Sequence, residues 1–150
     1  MKIIHVAFFI ISFLALPLQT CAQGSTSVTT KQYENPYNNC AAIIYNGKML
    51  VDSYSPSGKC ILSADQTGTI SAATVELSEK GGTPKKAIEF QVAIKNTMTN
   101  TLWMYSREIL DEVRFEDVLA KCQKGDKIVI LTVDQEYSLT HHEIEINWIE

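Results

Sequence analysis

The sequence predicts a mainly β protein, an Ig-like β-sandwich of about eight strands with one short α-helix. Three features carry that prediction. Ile88, Phe90, Val92 and Ile94 alternate with Glu89, Gln91 and Lys95, the period of two of a half-buried strand. Turn-forming residues punctuate the apolar runs at Asn46-Gly47, Pro56-Ser57-Gly58 and Glu79-Lys80-Gly81-Gly82. A single stripe at helical spacing, Phe115, Val118, Leu119 and Cys122, stands among the strands.

The elements follow in order. Ala41 to Tyr45 and Lys48 to Ser53 flank Asn46-Gly47, whose two residues tolerate positive φ and so specify a tight hairpin. Lys59 to Ser63 is a third short strand, and Asp65 to Gly68 reverses the chain. Thr69 to Leu77, with β-branched Thr69, Ile70, Thr74 and Val75, is a long strand that ends before the Gly81-Gly82 loop. The alternating strand from Ala87 to Lys95 pairs through the polar loop Asn96 to Asn100 with Thr101 to Tyr105, which places Trp103 on the core face. Ser106 to Arg114 reads as a connection pinned to the sheet by Ile109, Leu110 and Val113.

The helix is expected to start near Arg114 and to stop where Gly125 adopts the left-handed cap conformation. Glu116 and Asp117 in its first turn and Lys121 and Lys124 in its last would complement the helix dipole. Lys127 to Val133 is apolar on both faces and is the expected centre of the core. On that reading Val129→Ala should cost roughly 2 kcal/mol or more. After a connection from Asp134 to Thr140, His142 to Trp148 turns Ile144, Ile146 and Trp148 inward.

Ahead of this domain, expected to span residues 40–150, lie two segments of different character. Lys2 followed by the apolar run Ile3 to Leu18 reads as a signal peptide over residues 1–22, with Thr20 and Ala22 at the small-residue positions of the cut. Cys21 offers a second outcome, lipidation that would tether the chain to a membrane. Residues 23–39, rich in Ser, Thr, Gln and Asn, cannot bury enough surface to offset their ordering entropy and read as a flexible leader. The chain is therefore expected to be exported, to the periplasm or outer envelope.

A net charge of −4 with Lys85-Lys86 as the lone basic doublet argues against nucleic acid as a partner. Export makes disulfide formation relevant to the 4 cysteines. Loss of Cys21 leaves Cys40, Cys60 and Cys122; Cys40 opens the first strand and Cys60 lies in the next strand but one, near enough to be the candidate disulfide, while Cys122 falls on the apolar helix face.

Chemistry-bearing clusters are sparse. His141, Glu143 and Asp134 form the one grouping of metal-ligand side chains, with His141 and Glu143 on a common strand face. It supports the alternative reading of a secreted enzyme or metal-dependent binding protein. Cys122, His142 and an Asp could be drawn as a nucleophile, base and orienter, but Cys122 shares its face with Phe115, Val118 and Leu119. There is no Gly-rich phosphate cradle, no Gly-x-Ser-x-Gly elbow and no His-Glu-x-x-His pair, so no catalytic residue, metal or cofactor is expected. Tyr54 and Tyr137, at strand ends beside turns, are the candidate interface residues, because loops at sandwich ends carry much grafted function.

The run Ala87-Ile88-Glu89-Phe90-Gln91-Val92, the Asn100-Thr101 hairpin, the Phe115 to Cys122 helix and Lys124-Gly125-Asp126-Lys127-Ile128-Val129-Ile130 together resemble the C-terminal domain of the GldM family of gliding-motility and type IX secretion proteins. The likeness runs from Ala87 toward the C-terminus, with a looser fit back to Cys40. In place of that family's Pro-Asp-Gly turn in the last hairpin stands Glu136-Tyr137-Ser138-Leu139-Thr140. The resemblance implies a non-enzymatic interaction or scaffold module of the bacterial envelope, of the Bacteroidetes type, that works by contacting other envelope proteins.

Overall fold

The computed structural model describes residues 40–78 and 81–149. The signal-peptide, lipidation and leader readings fall on residues 1–39, outside the described residues. In chain order the elements are β1 (Cys40–Tyr45), β2 (Lys48–Met49), β3 (Cys60–Ser63), β4 (Thr69–Ser78), β5 (Gly81–Ile88), β6 (Phe90–Asn96), β7 (Thr101–Met104), β8 (Glu112–Arg114), α1 (Phe115–Leu119), β9 (Asp126–Thr132), β10 (Ser138–Leu139) and β11 (Glu143–Asn147).

These form two sheets in a sandwich-like arrangement. The first runs β10-β1-β4-β5, with β2 paired to β1 and β8 to β4; the second runs β3-β11-β9-β6-β7. Most pairs are antiparallel, while β1 with β10 and β3 with β11 are parallel. The main core lies between the sheets. Ile43, Ile70, Ala72 and Ile88 from the first meet Phe90, Val92, Ile94, Ile128, Ile130 and Ile144 from the second, closed by Phe115 and Val118 of α1. Each large side chain fully buried there contributes about 1.5–3 kcal/mol.

The mainly β architecture with one short helix is the one the residue pattern predicts, but among the described residues the strand count is eleven rather than about eight. The additions are β5, β8 and β10, each held by long-range pairing. Gly81-Gly82, expected as part of a loop, is drawn together with Thr83 and Pro84 into β5 by the long edge of β4. Pro84 is tolerated because β5 is an edge strand, and a register shift between Ala73 and Val75 accommodates it. β8, inside the expected connection, pairs Val113 with Ile70. Leu110 pins that connection by exchanging backbone hydrogen bonds with Phe90 at 2.8 and 2.9 Å, whereas Ile109 is exposed.

The alternating run 88–94 proves to be a sheet switch. Ile88 pairs with Ala72 in the first sheet and Phe90 with Thr132 in the second, so the chain changes sheets at Glu89 while every second side chain stays in the core.

Local expectations held where local chemistry decides. Asn46 and Gly47 have φ of 49° and 77°, the two positive values of a type I′ hairpin turn. The second strand stops at Met49 rather than Ser53, because the chain then leaves the sheet to seat Val51 in the core. The helix ends at Leu119, well before Gly125. From Ala120 on the coil tightens, with Lys121 N–H donating to Val118 O and Cys122 N–H to Leu119 O, both at 2.9 Å. Lys121 and Lys124 thus lie beyond the last turn of the helix, which itself carries no basic residue. Gly125, at φ 93°, serves instead the turn closed by Asp126 N–H and Gln123 O.

β9 is flanked by β6 and β11 and is central in its sheet, as expected. Its faces are unequal. Ile128 and Ile130 point into the main core; Val129, though buried, faces the other way, opposite Ala93 and Glu143. Trp103 also departs from expectation: it lies opposite Ile94, but edge strand β7 extends past the cover of the other sheet and leaves it 42% exposed.

Candidate functional site

The chemistry-bearing side chains gather at one end of the second sheet, where residues 50–58 pass beside the connection into β11. Gly58 N–H closes a turn on Ser55 O at 2.9 Å with Pro56 preset at its second position. His141 Nε2–H donates to the Ser55 carbonyl at 2.7 Å, and its ring stands edge-on to Tyr54 at a centroid distance of 5.4 Å. The Tyr54 hydroxyl donates to Ala41 O at 3.1 Å, and burial pushes its pKa up to about 12. Tyr54 is therefore a half-buried strut between loop and β1.

A surface hollow of about 240 Å³ lies next to this corner, lined by Gly58, Lys59, Cys60, His141, His142 and Glu143. It is smaller than the ~300–1,000 Å³ of ordinary small-molecule sites. Cys60 is buried there, its thiol donating to His141 O at 3.7 Å, and burial pushes its pKa up to about 12. No disulfide joins it to Cys40. The reason is position: Cys60 belongs to the core between the sheets, while Cys40 packs with Ala42, Ile44, Ala73 and Val75 on the opposite face of the first sheet.

The three residues of the metal-binding alternative are not brought together. Asp134 is exposed and its Oδ1 accepts from Glu136 N–H at 2.9 Å; His141 is turned to Ser55. Glu143 is engaged by two ammonium groups, Lys95 at 2.8 Å and Lys127 at 3.3 Å. Among the described residues no group of three or more His, Cys, Asp or Glu side chains is placed to hold a metal ion.

Glu143 belongs to a charge ladder across the outer face of the second sheet that motif reading missed. Lys127 also reaches Glu145 at 3.0 Å, and Lys59 approaches Glu145 at 3.7 Å. The hydrogen bond from Lys95 holds the Glu143 carboxyl below its ordinary range, that from Lys127 does the same for Glu145, and Glu145 in turn raises Lys127. The sequence places Lys95 and Lys127 on the outward positions of two strands and Glu143 and Glu145 on those of a third, and these opposite charges are the signal that could have revealed it. Asp126 was also missed. It is 5% exposed and accepts from Asn96 Nδ2 and Gln123 N–H, both at 2.9 Å.

Tyr137 lies at a different place, beside a hollow of about 470 Å³ lined by Lys86, Ile88, Glu89, Val133 and Asp134. Lys86 Nζ donates to its hydroxyl at 2.9 Å and sits 5.6 Å from the ring centroid. The ammonium is thus off the hydroxyl end of the ring, a hydrogen bond and not a contact with the π face. The structure does not bring Tyr54 and Tyr137 into one patch: Tyr54 lines the His141 corner and Tyr137 the sheet-switch corner.

Cys122 donates its thiol to Val118 O at 3.5 Å, and burial pushes its pKa up to about 12, which leaves almost no thiolate at neutral pH. Trp148, expected inward, is half-buried beyond the end of β11. Among the described residues no helix is long and apolar enough to cross a membrane. No family model matches the chain, and neither the curated proteins nor the solved structures include a significant match.

Proposed function

We propose that the chain is an exported, non-enzymatic interaction or scaffold module of the bacterial cell envelope, associated with gliding motility or type IX secretion. The observation that carries the reading is that reactive side chains are already committed to structural contacts. The His141 ring holds Ser55, the Glu143 and Glu145 carboxylates are neutralised by lysines, and the Cys60 and Cys122 thiols stay protonated. Meanwhile large apolar side chains stand exposed on edge strand β7. The signal-peptide pattern and the likeness to the GldM C-terminal domain supply the compartment and the machine.

The test is cell fractionation with in vivo cross-linking and mass spectrometry. The expected outcome is recovery in the envelope fraction, an intact mass that shows cleavage near Ala22, and reproducible cross-links to envelope proteins. Retention of an uncleaved chain in the cytoplasm would refute the localisation, and absence of envelope cross-links would refute the role.

A further inference from the structure

The face of the first sheet turned away from the second carries an apolar cluster of its own, made of the buried side chains of Ala42, Ile44, Ala73 and Val75. β2 contributes Met49 to it. Met49 pairs directly with Ile44, so its side chain shares that face, and it packs against the main core as well.

The thioether ends against β5. β2 pairs with β1 and β5 with β4, so the two strands are not neighbours in the sheet. They meet because the arm formed by residues 75–78 and 81–84, beyond the register shift between Ala73 and Val75, approaches β2. Such an irregularity bends and twists a strand pair, which turns it toward a strand it does not pair with. A Cβ built on Gly82 would stand 2.7 Å from Met49 Sδ, 3.2 Å from its Cε and 3.4 Å from Leu77 Cδ2. Only a residue without a side chain admits the sulfur there.

The sulfur is also within reach of solvent. Met49 is half-buried and lines a surface hollow of about 380 Å³ with Tyr45, Asn46, Lys48 and Leu50. That is ample for a peroxide, little larger than a water at ~30 Å³.

We propose that Met49 is an oxidation site at which a peroxide converts the thioether to a sulfoxide and so releases the β4–β5 arm from β2. A sulfur lone pair attacks one oxygen of hydrogen peroxide, an S–O bond forms and the O–O bond breaks. Sulfur gives up two electrons, and the second oxygen leaves as water after a proton shift. The product is polar where the thioether was apolar. Ile44 beside it and Leu77 across Gly82 offer no side-chain donor, and the close contact at Gly82 leaves no space for an added oxygen, so the arm moves away. Met98 and Met104 supply the contrast: they are 90% and 38% exposed and belong to neither apolar cluster, so their oxidation leaves the fold unmoved. The device works wherever peroxide reaches the chain and does not rest on the envelope reading.

Peroxide titration of the purified protein, followed by peptide mass mapping and backbone amide exchange, tests the proposal. Met98 should oxidise first and Met49 later. As Met49 sulfoxide accumulates, the amides of residues 75–78 and 81–83 should exchange about tenfold to a hundredfold faster, the range implied by a polar group buried without a partner. The Ile94 and Ile128 amides should not change. Methionine sulfoxide reductases acting on both epimers should restore slow exchange. Met49→Leu, close in volume, should make the arm insensitive to peroxide, whereas Met98→Leu combined with Met104→Leu should keep the response. The proposal is overturned if Met49 resists peroxide that fully converts Met98 and Met104, if its sulfoxide forms with arm exchange unchanged, or if the Met49→Leu arm still loosens. Equal acceleration at Ile94 and Ile128 would also overturn it, because that is loss of the whole fold. If Met49→Leu fails to fold, reversal of the wild-type response by the reductases decides.

Discussion

Truncating two neighbouring residues of β9 separates the faces of the second sheet. Ile128 is fully buried opposite Ile94 and Ile144 in the main core, while Val129 is 4% exposed but faces Ala93 and Glu143 on the outer side. Ile128→Ala removes three carbons, ~2.4 kcal/mol at ~0.8 kcal/mol each. It also opens a cavity walled by residues from both sheets, which brings the expected loss to about 4 kcal/mol. Val129→Ala removes two carbons, ~1.6 kcal/mol. The space it leaves lies under the flexible Lys–Glu ladder, which can settle, so about 1.5 kcal/mol is expected in total. Urea unfolding should show both midpoints lowered at unchanged m, with unfolding free energies that differ by about 2.5 kcal/mol. Equal losses, or a larger one for Val129→Ala, would mean that the second sheet presents its other face to the core.

Two further predictions rest on polar contacts. Asp126→Ala strips the Asn96 amide and the Gln123 N–H of their acceptor, and the buried loss should be about 1–3 kcal/mol. Asn96 Oδ1 also accepts from the Met98 and Thr99 N–H groups, so amide exchange in the 97–100 and 123–126 turns should accelerate together. Acceleration in one turn alone would show that they are uncoupled. In the charge ladder, Glu143 and Glu145 have lowered pKa values, so their stabilisation is complete above the unfolded carboxylate value of about 4.3 and is lost as pH falls through the lowered folded values. Lys127 is raised, so its share is complete below about 10.4 and is lost as pH rises through its folded value. Thermal melts should therefore show the gap between wild type and Lys127→Met greatest near neutrality and closing at both extremes. A gap independent of pH would assign the effect of Lys127 to packing of its stem.

The candidate sites were less legible than the fold. Tyr54 and His141 are far apart in sequence and meet because residues 50–58 fold back across the end of the sheet, a contact with no local signature. Cys40 and Cys60 looked bridgeable as members of nearby strands, yet their strands belong to different sheets and their thiols to different apolar clusters. Trp103 obeyed the alternation of its hairpin and still ended exposed, because burial depends on how far the facing sheet reaches.

Short-range chemistry was readable directly in the residues. The Asn46-Gly47 turn, the alternation from Ile88 to Ile94, the apolar β9 and the existence of one helix follow from φ preference and side-chain period, which neighbours in the chain suffice to impose. Beyond the two hairpins, pairing partners distant in the chain were not readable, since hydrogen-bonding edges are nearly sequence-neutral. That β5, β8 and β10 are strands, that the chain changes sheets at Glu89, and that β7 is left as an edge are consequences of which backbones came to lie side by side.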